Sequence, residues 1–495
     1  MAVGSVLLCC AIVFVAVSVK WPFRKDEIIS DLEEATSSKV EIESFRETHF
    51  PHPGCLIQGL IFRRPQAGPN APPLITISKL TVQGSFLGLF TKHVALVRAD
   101  NMHAIIPPFG TGGWSQSKTP ADVIVNKFVA DDSILEFSRQ DPKEPRVKFL
   151  IHKFLIRGLG SKGQMEFKAG VRNPEPPGEV HSTGTLGPWR DDDPRQTPIS
   201  GTYTFQEANL GSLPAIAGKL ASEGKYGGVL QRMEVQGSTD VLNFEVTSSG
   251  HKTNLHTRFK ALVDATTGDV TLDAVGANFG RTGVISSGKV SGRPGERGKT
   301  ASIDLWSRQG RIQDVFMLFI TAPHSPLNGN LNFKAHVVLP PGNPSFLRKV
   351  QLQGDFGIDA AKFVNSDTQQ TVDKLSERAR GEKDKDEAVP ERILSNLTGH
   401  VVLTNGLATF TNLSFGVPGA VARMHGTYDL VTERINLTGD LQIQAKPSAA
   451  TSGVKSFLVK ALDPFLKNNH PGAVVPVKIT GTYTNPSYSV SSNPK

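Results

Sequence analysis

Cysteine is nearly absent from this 495-residue chain: there are three, Cys9 and Cys10 in an apolar N-terminal run and Cys55 beyond it. Thiols so placed build no disulfide framework, so the body must be held by packing and hydrogen bonding. Aromatic residues are also few, at 7%. An electrostatic footprint for nucleic acid needs Lys and Arg clustered among aromatic platforms, whereas the 54 basic and 46 acidic residues are spread along the chain. Nucleic acid is therefore not an expected partner. The net charge of +8 suits solubility or an anionic membrane surface.

Catalytic signatures are missing too. The thirteen histidines form neither an HExxH pattern nor a zinc-ligand spacing, and no GxSxG nucleophile elbow occurs. A reactive Cys55 would need a lowered pKa and a paired histidine; His49 and His52 are near in sequence, but a lone thiol in a strand or loop is the simpler reading. Gly292 to Thr300 (GRPGERGKT) looks like a phosphate loop until counted, because five residues separate Gly292 from Gly298. It also precedes the alternating strand Ile303, Leu305 rather than a helix, so no helix dipole stands behind its backbone N–H groups. Asp191, Asp192 and Asp193 are adjacent, so their side chains diverge and suit a solvated loop better than a calcium site. Three glycosylation sequons begin at Asn396, Asn412 and Asn436, the last inside a regular strand. The chain reads as a non-enzyme without metal or cofactor.

What is present begins with residues 2–19, AVGSVLLCCAIVFVAVSV, which carry no charged side chain. At about 1.5 Å per residue such a run spans about 27 Å, close to a hydrocarbon core. Trp21, Pro22, Phe23, Arg24 and Lys25 follow where a cleavage site would need small residues, so the segment reads as an uncleaved transmembrane anchor. Lys20, Arg24 and Lys25 lie after the span and no basic residue precedes it. The positive-inside rule would thus leave the body in the cytoplasm, in conflict with an exported body.

After the anchor, Asp26 to Ser37 places Ile28, Ile29 and Leu32 on one side of a short helix. From Lys39 the apolar period becomes two. The clearest strands hold Leu255, Phe259 and Val263; Leu331, Phe333 and Val337; Leu352 and Phe356; Ile435, Leu437, Leu441 and Ile443; and Val477 and Ile479. Polar residues such as Asn436, Thr438, Asp440 and Gln442 alternate with them. Each strand so has one greasy and one wet face, as in antiparallel sheets solvated on one side. Asn405-Gly406 and Thr267-Gly268-Asp269 are hairpin signals. Gly-Thr-Tyr recurs at Gly201, Gly426 and Gly481, and Gly354-Asp355-Phe356 is close to it; a glycine inside a strand permits a bend. Helices are expected at Arg311 to Ile320, Asp367 to Arg380 and Gly453 to Lys467.

The divisions expected are an anchor and flank at 1–25, β regions at 26–170 and 171–300, and a C-terminal β region at 301–495. The fold class is mainly β: a transmembrane helix followed by an elongated, twisted antiparallel β-groove with a few short helices. A one-sided apolar sheet must cover its greasy face, either as a closed sandwich or as a trough around acyl chains.

Several segments resemble AsmA-like envelope proteins. Phe50-Pro51-His52-Pro53-Gly54 before the strand Leu56 to Phe62, and the strand pair Ile75 to Leu80 and His93 to Pro107, resemble the start of that family. Asn173-Pro174 through Gly187-Pro188-Trp189, Gly224 to Gly228, Leu375 to Ala379, and Val417 to Ala420 leading to Gly426-Thr427-Tyr428 resemble the AsmA-like C-terminal region. The resemblance implies anchorage in the bacterial inner membrane with the body in the periplasm. It also implies a β-groove related to bridge-like lipid transfer proteins, with phospholipid as partner and a part in lipid transport and outer-membrane homeostasis. The groove lining would then be the fourteen apolar side chains named above, from Leu255 to Ile479. The alternative is a non-enzymatic scaffold or assembly factor that docks other envelope proteins through strand edges.

Overall fold

The computed structural model describes residues 23–64, 72–86, 88, 93–106, 123–138, 146–190, 192–213, 215–293, 298–342, 345–364, 395–417, 420–443, 474–482 and 485–490. The anchor at 2–19 and the expected helices at 367–380 and 453–467 lie outside them. Among the described residues no helix is long and apolar enough to cross a membrane. The fold is mainly β, with few and short helices, as the alternating sequence predicts. The contacts divide it into two compact units, one holding residues 1–208, 221–235 and 263–268, the other 209–220, 236–262 and 269–495.

The first unit opens with α1 (Lys25–Thr36), followed by β1 (Lys39–Thr48), β2 (Gly54–Arg63), β3 (Ile75–Gly84) and β4 (His93–Ile106). These strands pair antiparallel in chain order. Ile28, Ile29 and Leu32, the apolar side of α1, pack on a cluster that includes Ile57, Leu60 and Phe62, of which Ile57 and Leu60 are fully buried. Val40 N–H donates to Glu33 Oε1 at 2.9 Å, tying the helix to β1.

β5 (Ile124–Phe137) departs from the antiparallel expectation. It runs parallel to β4, with Ala99 opposite Ala130 and Ile106 opposite Phe137. Parallel neighbours need a connection of about a dozen residues or more, and 107–123 supplies that length. The alternation within each strand is the same for either direction, so sequence periodicity does not reveal it. β6 (Val147–Leu159), β7 (Met165–Pro174), β8 (Pro177–Leu186) and β9 (Pro198–Asn209) then return to antiparallel pairing. On the outer side of β5, Glu136 is almost wholly buried, with 4% of its side chain exposed, and is met by Lys148 at 2.7 Å, His103 at 3.0 Å and Arg146 at 3.2 Å.

β10 (Ile216–Val229), β11 (Arg232–Val246) and β12 (Lys252–Asp264) contribute residues to both units. The second unit continues with β13 (Asp269–Phe279), β14 (Thr282–Gly292), β15 (Lys299–Arg311), α2 (Ile312–Met317), β16 (Leu327–Leu339), α3 (Phe346–Lys349) and β17 (Gln351–Phe363). It ends with β18 (Ser395–Thr404), β19 (Leu407–Val417), β20 (Ala420–Asp429), β21 (Arg434–Ile443), β22 (Val474–Thr482) and β23 (Pro486–Val490). From β13 to β23 every successive pair is antiparallel. The turn Asn405-Gly406 joins β18 to β19 as its sequence predicts.

Candidate functional site

Register aligns the apolar positions of the second unit into rows that cross many strands. Ile303, Val337, Leu352, Leu403, Ala408, Tyr428 and Ile435 are successive partners from β15 to β21. A middle row runs Ala335, Gly354, Val401, Phe410, Gly426, Leu437 and Ile479 from β16 to β22. Another runs Leu331, Ile358, Leu397, Phe415, Ala422, Leu441 and Val475. All three lie on one face, because directly opposed residues share a side of the sheet.

Eleven of the fourteen expected lining residues meet there: Leu331, Phe333, Val337, Leu352, Phe356, Ile435, Leu437, Leu441, Ile443, Val477 and Ile479. Leu255 and Phe259 are half-buried on β12 in the same unit, while Val263 belongs to the first unit. Periodicity alone missed Phe410, Leu413, Phe415 and Met424. For the three on β19 the reason is local: Asn412 adopts φ +53° where the β18–β19 register shifts. One extra residue there moves the apolar parity from Ala408 and Phe410 to Leu413, Phe415 and Val417. An asparagine between two apolar pairs is the available sequence signal for such a bulge.

The opposite face is wet. Asp304 and His336, partners in β15 and β16, lie 2.8 Å apart, and Asp355 and His400, partners in β17 and β18, lie 2.7 Å apart. Exposed pairs of this kind contribute about 0–1 kcal/mol each, so they mark the solvent side more than they stabilise it.

The apolar face is neither uniformly open nor sealed. Toward one end Leu331, Ile358, Leu441, Ile443 and Val475 are buried in packed clusters. Helix α2 helps to cover two of them, Leu331 and Ile358, against whose cluster Val315 and Phe316 pack. Along the rest, Phe333, Val337, Leu352, Phe356, Ile435, Leu437, Val477 and Ile479 stay half-buried. Phe346 of α3 joins a smaller cluster with Leu352, Val401, Tyr428 and Leu430.

Two glycines on this face bring neighbouring strands unusually close. Gly426 has φ +145°, and a Cβ added there would fall 2.1 Å from the Asn436 carbonyl oxygen. A Cβ on Gly439 would fall 2.0 Å from the Arg423 carbonyl oxygen. No other residue fits either position without moving the neighbouring strand.

The remaining candidates are quiet. Cys55 is buried, and burial first, then the charge of Glu47, pushes its thiol pKa up to about 12. Lys299, in the phosphate-loop look-alike, contacts Asp269 at 2.9 Å, and the segment joins two strands. Asp193 grips Arg195 at 2.8 Å and accepts the Arg195 N–H. Among the described residues no cluster of three His, Cys, Asp or Glu is placed to hold a metal ion. No family model, curated protein or solved structure matches the chain.

Proposed function

We propose that the apolar face of the second unit binds phospholipid acyl chains, and that residues 2–19 hold the protein at the bacterial inner membrane with its body in the periplasm. Its contribution would be to lipid transport between membranes and so to outer-membrane homeostasis. The carrying observation is that, beyond the packed end, the apolar rows from β15 to β22 keep Phe333, Val337, Leu352, Phe356, Ile435, Leu437, Val477 and Ile479 half-buried rather than sealed. Each methylene withdrawn from water onto such a surface contributes about 0.8 kcal/mol, so ten offset about 8 kcal/mol of the cost of ordering a chain. A row of alkyl and aryl side chains has no polar contact to fix one position, so a bound tail can shift along it. Binding and sliding call for no nucleophile, base or metal.

The test is site-specific photocrosslinking in cells, with the probe at Phe356, at Leu437, and at His336 on the wet face. Lipid adducts at Phe356 and Leu437 but not at His336 are expected. Adducts at none of the three, or equally at all, together with purified protein free of phospholipid by mass spectrometry, would overturn the reading.

A further inference from the structure

An open cleft of about 490 Å³ lies in the second unit where α2, the start of β12 and the segment entering β16 come together. One wall is greasy: Phe279, Met317 and Leu318. Phe279 is the register partner of Thr282, which shares its side of β14 with Gly288, the partner of Ile303 in the apolar rows. Helix α2 joins the cleft to that face, since Phe316 packs near Leu331 and Ile358 while the next residue, Met317, lines the cleft.

The rim is basic: His251, Lys252 and His324. Lys252 and His324 are exposed, and among the described residues neither has a carboxylate partner. His251 Nε2 lies 2.9 Å from the Ala322 carbonyl, which holds that ring in place. The lining's carboxylate, Asp314, is already engaged, its Oδ2 accepting from Arg281 N–H and Thr282 Oγ1 at 2.8 Å each. One ammonium, that of Lys252, beside the imidazole of His324 and above a greasy wall fits an anion that carries an alkyl tail.

We infer that this cleft takes the phosphate of a phosphate-bearing amphiphile, with Lys252 and His324 contacting the phosphate oxygens; the placing of its tail rests on the acyl-binding reading. Charge-assisted contacts contribute about 1.5–3 kcal/mol, so their loss should weaken binding about tenfold or more.

The experiment uses the purified full chain and three probes: an acyl-labelled short-chain phosphatidylglycerol, the diacylglycerol with the same labelled tails, and inorganic phosphate. Wild type should bind the phosphatidylglycerol about tenfold more tightly than the diacylglycerol. The double variant Lys252→Gln/His324→Asn should bind both equally and unfold at the wild-type temperature. Competition by inorganic phosphate as effective as by lipid would retain the cleft but assign it to the free anion. Equal affinity of wild type for the two lipids, or an unchanged double variant, would overturn the inference and leave the acyl reading standing. Absence of diacylglycerol binding, with phosphate binding still dependent on Lys252, would retain the cleft and overturn the acyl reading.

Discussion

Phe356 presents its ring edge-on to Phe410, with centroids 6.2 Å apart and planes at 80°. The two rings sit in neighbouring rows on the apolar face, two strands apart, and Gly399 on the strand between leaves them room: a Cβ there would lie 3.2 Å from Phe356 Cζ. Removing the Phe356 ring costs both this contact and its half-buried area. Phe356→Ala should lower stability by about 2–4 kcal/mol, measured by urea denaturation, while Phe356→Leu should keep most of it. An alanine variant within about 0.5 kcal/mol of wild type would show that the rings do not pack in solution.

Gly439 and Gly276 make a matched pair. A Cβ on Gly439 meets backbone at 2.0 Å, whereas one on Gly276 meets nothing within 4 Å. Gly439→Ala is expected to cost about 1–3 kcal/mol. Gly276→Ala should be neutral or mildly stabilising, through lower entropy of the unfolded chain. Thermal melts of the two variants side by side read the difference.

Acid should loosen the first unit at Glu136. Burial opposes ionisation there, but hydrogen bonds from Lys148 and Arg146 outweigh it and hold the carboxyl below its ordinary 4.5. The stabilisation is therefore present above pH 4.5 and lost as pH falls through the lower folded value. Glu136→Gln should flatten that acid limb of a stability–pH profile. An acid limb identical to wild type would remove Glu136 from the account.

Alkali should act through Cys55. Its pKa is raised from 9.0 to about 12 in the folded chain, so the unfolded state ionises first. Stability contributed by the neutral buried thiol is complete below pH 9 and declines toward pH 12. Cys55→Ala should reduce that decline, at the cost of a small cavity. A thiol reagent at pH 8 should modify folded Cys55 only at the rate of local opening, followed by mass spectrometry.

Much of the second unit was legible in the sequence because its strands alternate cleanly. Leu331 to Leu339, Leu352 to Ile358 and Ile435 to Ile443 announce both their period and the side that turns from water. Helix α1 was legible from Ile28, Ile29 and Leu32. Alternation says nothing of register, so the assembly of eleven separate positions into rows emerges only from pairing. It fails outright at Asn412 and Ala360, where a backbone with φ near +55° slips the parity within a strand. The Gly-Thr-Tyr echo carried more than chance composition: Gly426 and Gly481 both have positive φ, and a Cβ on Gly201 would fall 2.4 Å from the Thr183 carbonyl oxygen. The cleft at Lys252 gave no sequence signal, since its walls come from four separate segments between His251 and Val364.

The parallel step between β4 and β5 resets which turns are neighbours. In an unbroken meander the β1–β2 turn at residues 49–53 and the β6–β7 turn at 160–164 would leave from opposite long edges of the first unit. With one strand repeating its predecessor's direction, both leave from the same edge. Spin labels at His52 and Lys162 would thus sample one side of the ladder, and a tag at either turn would screen the same surface.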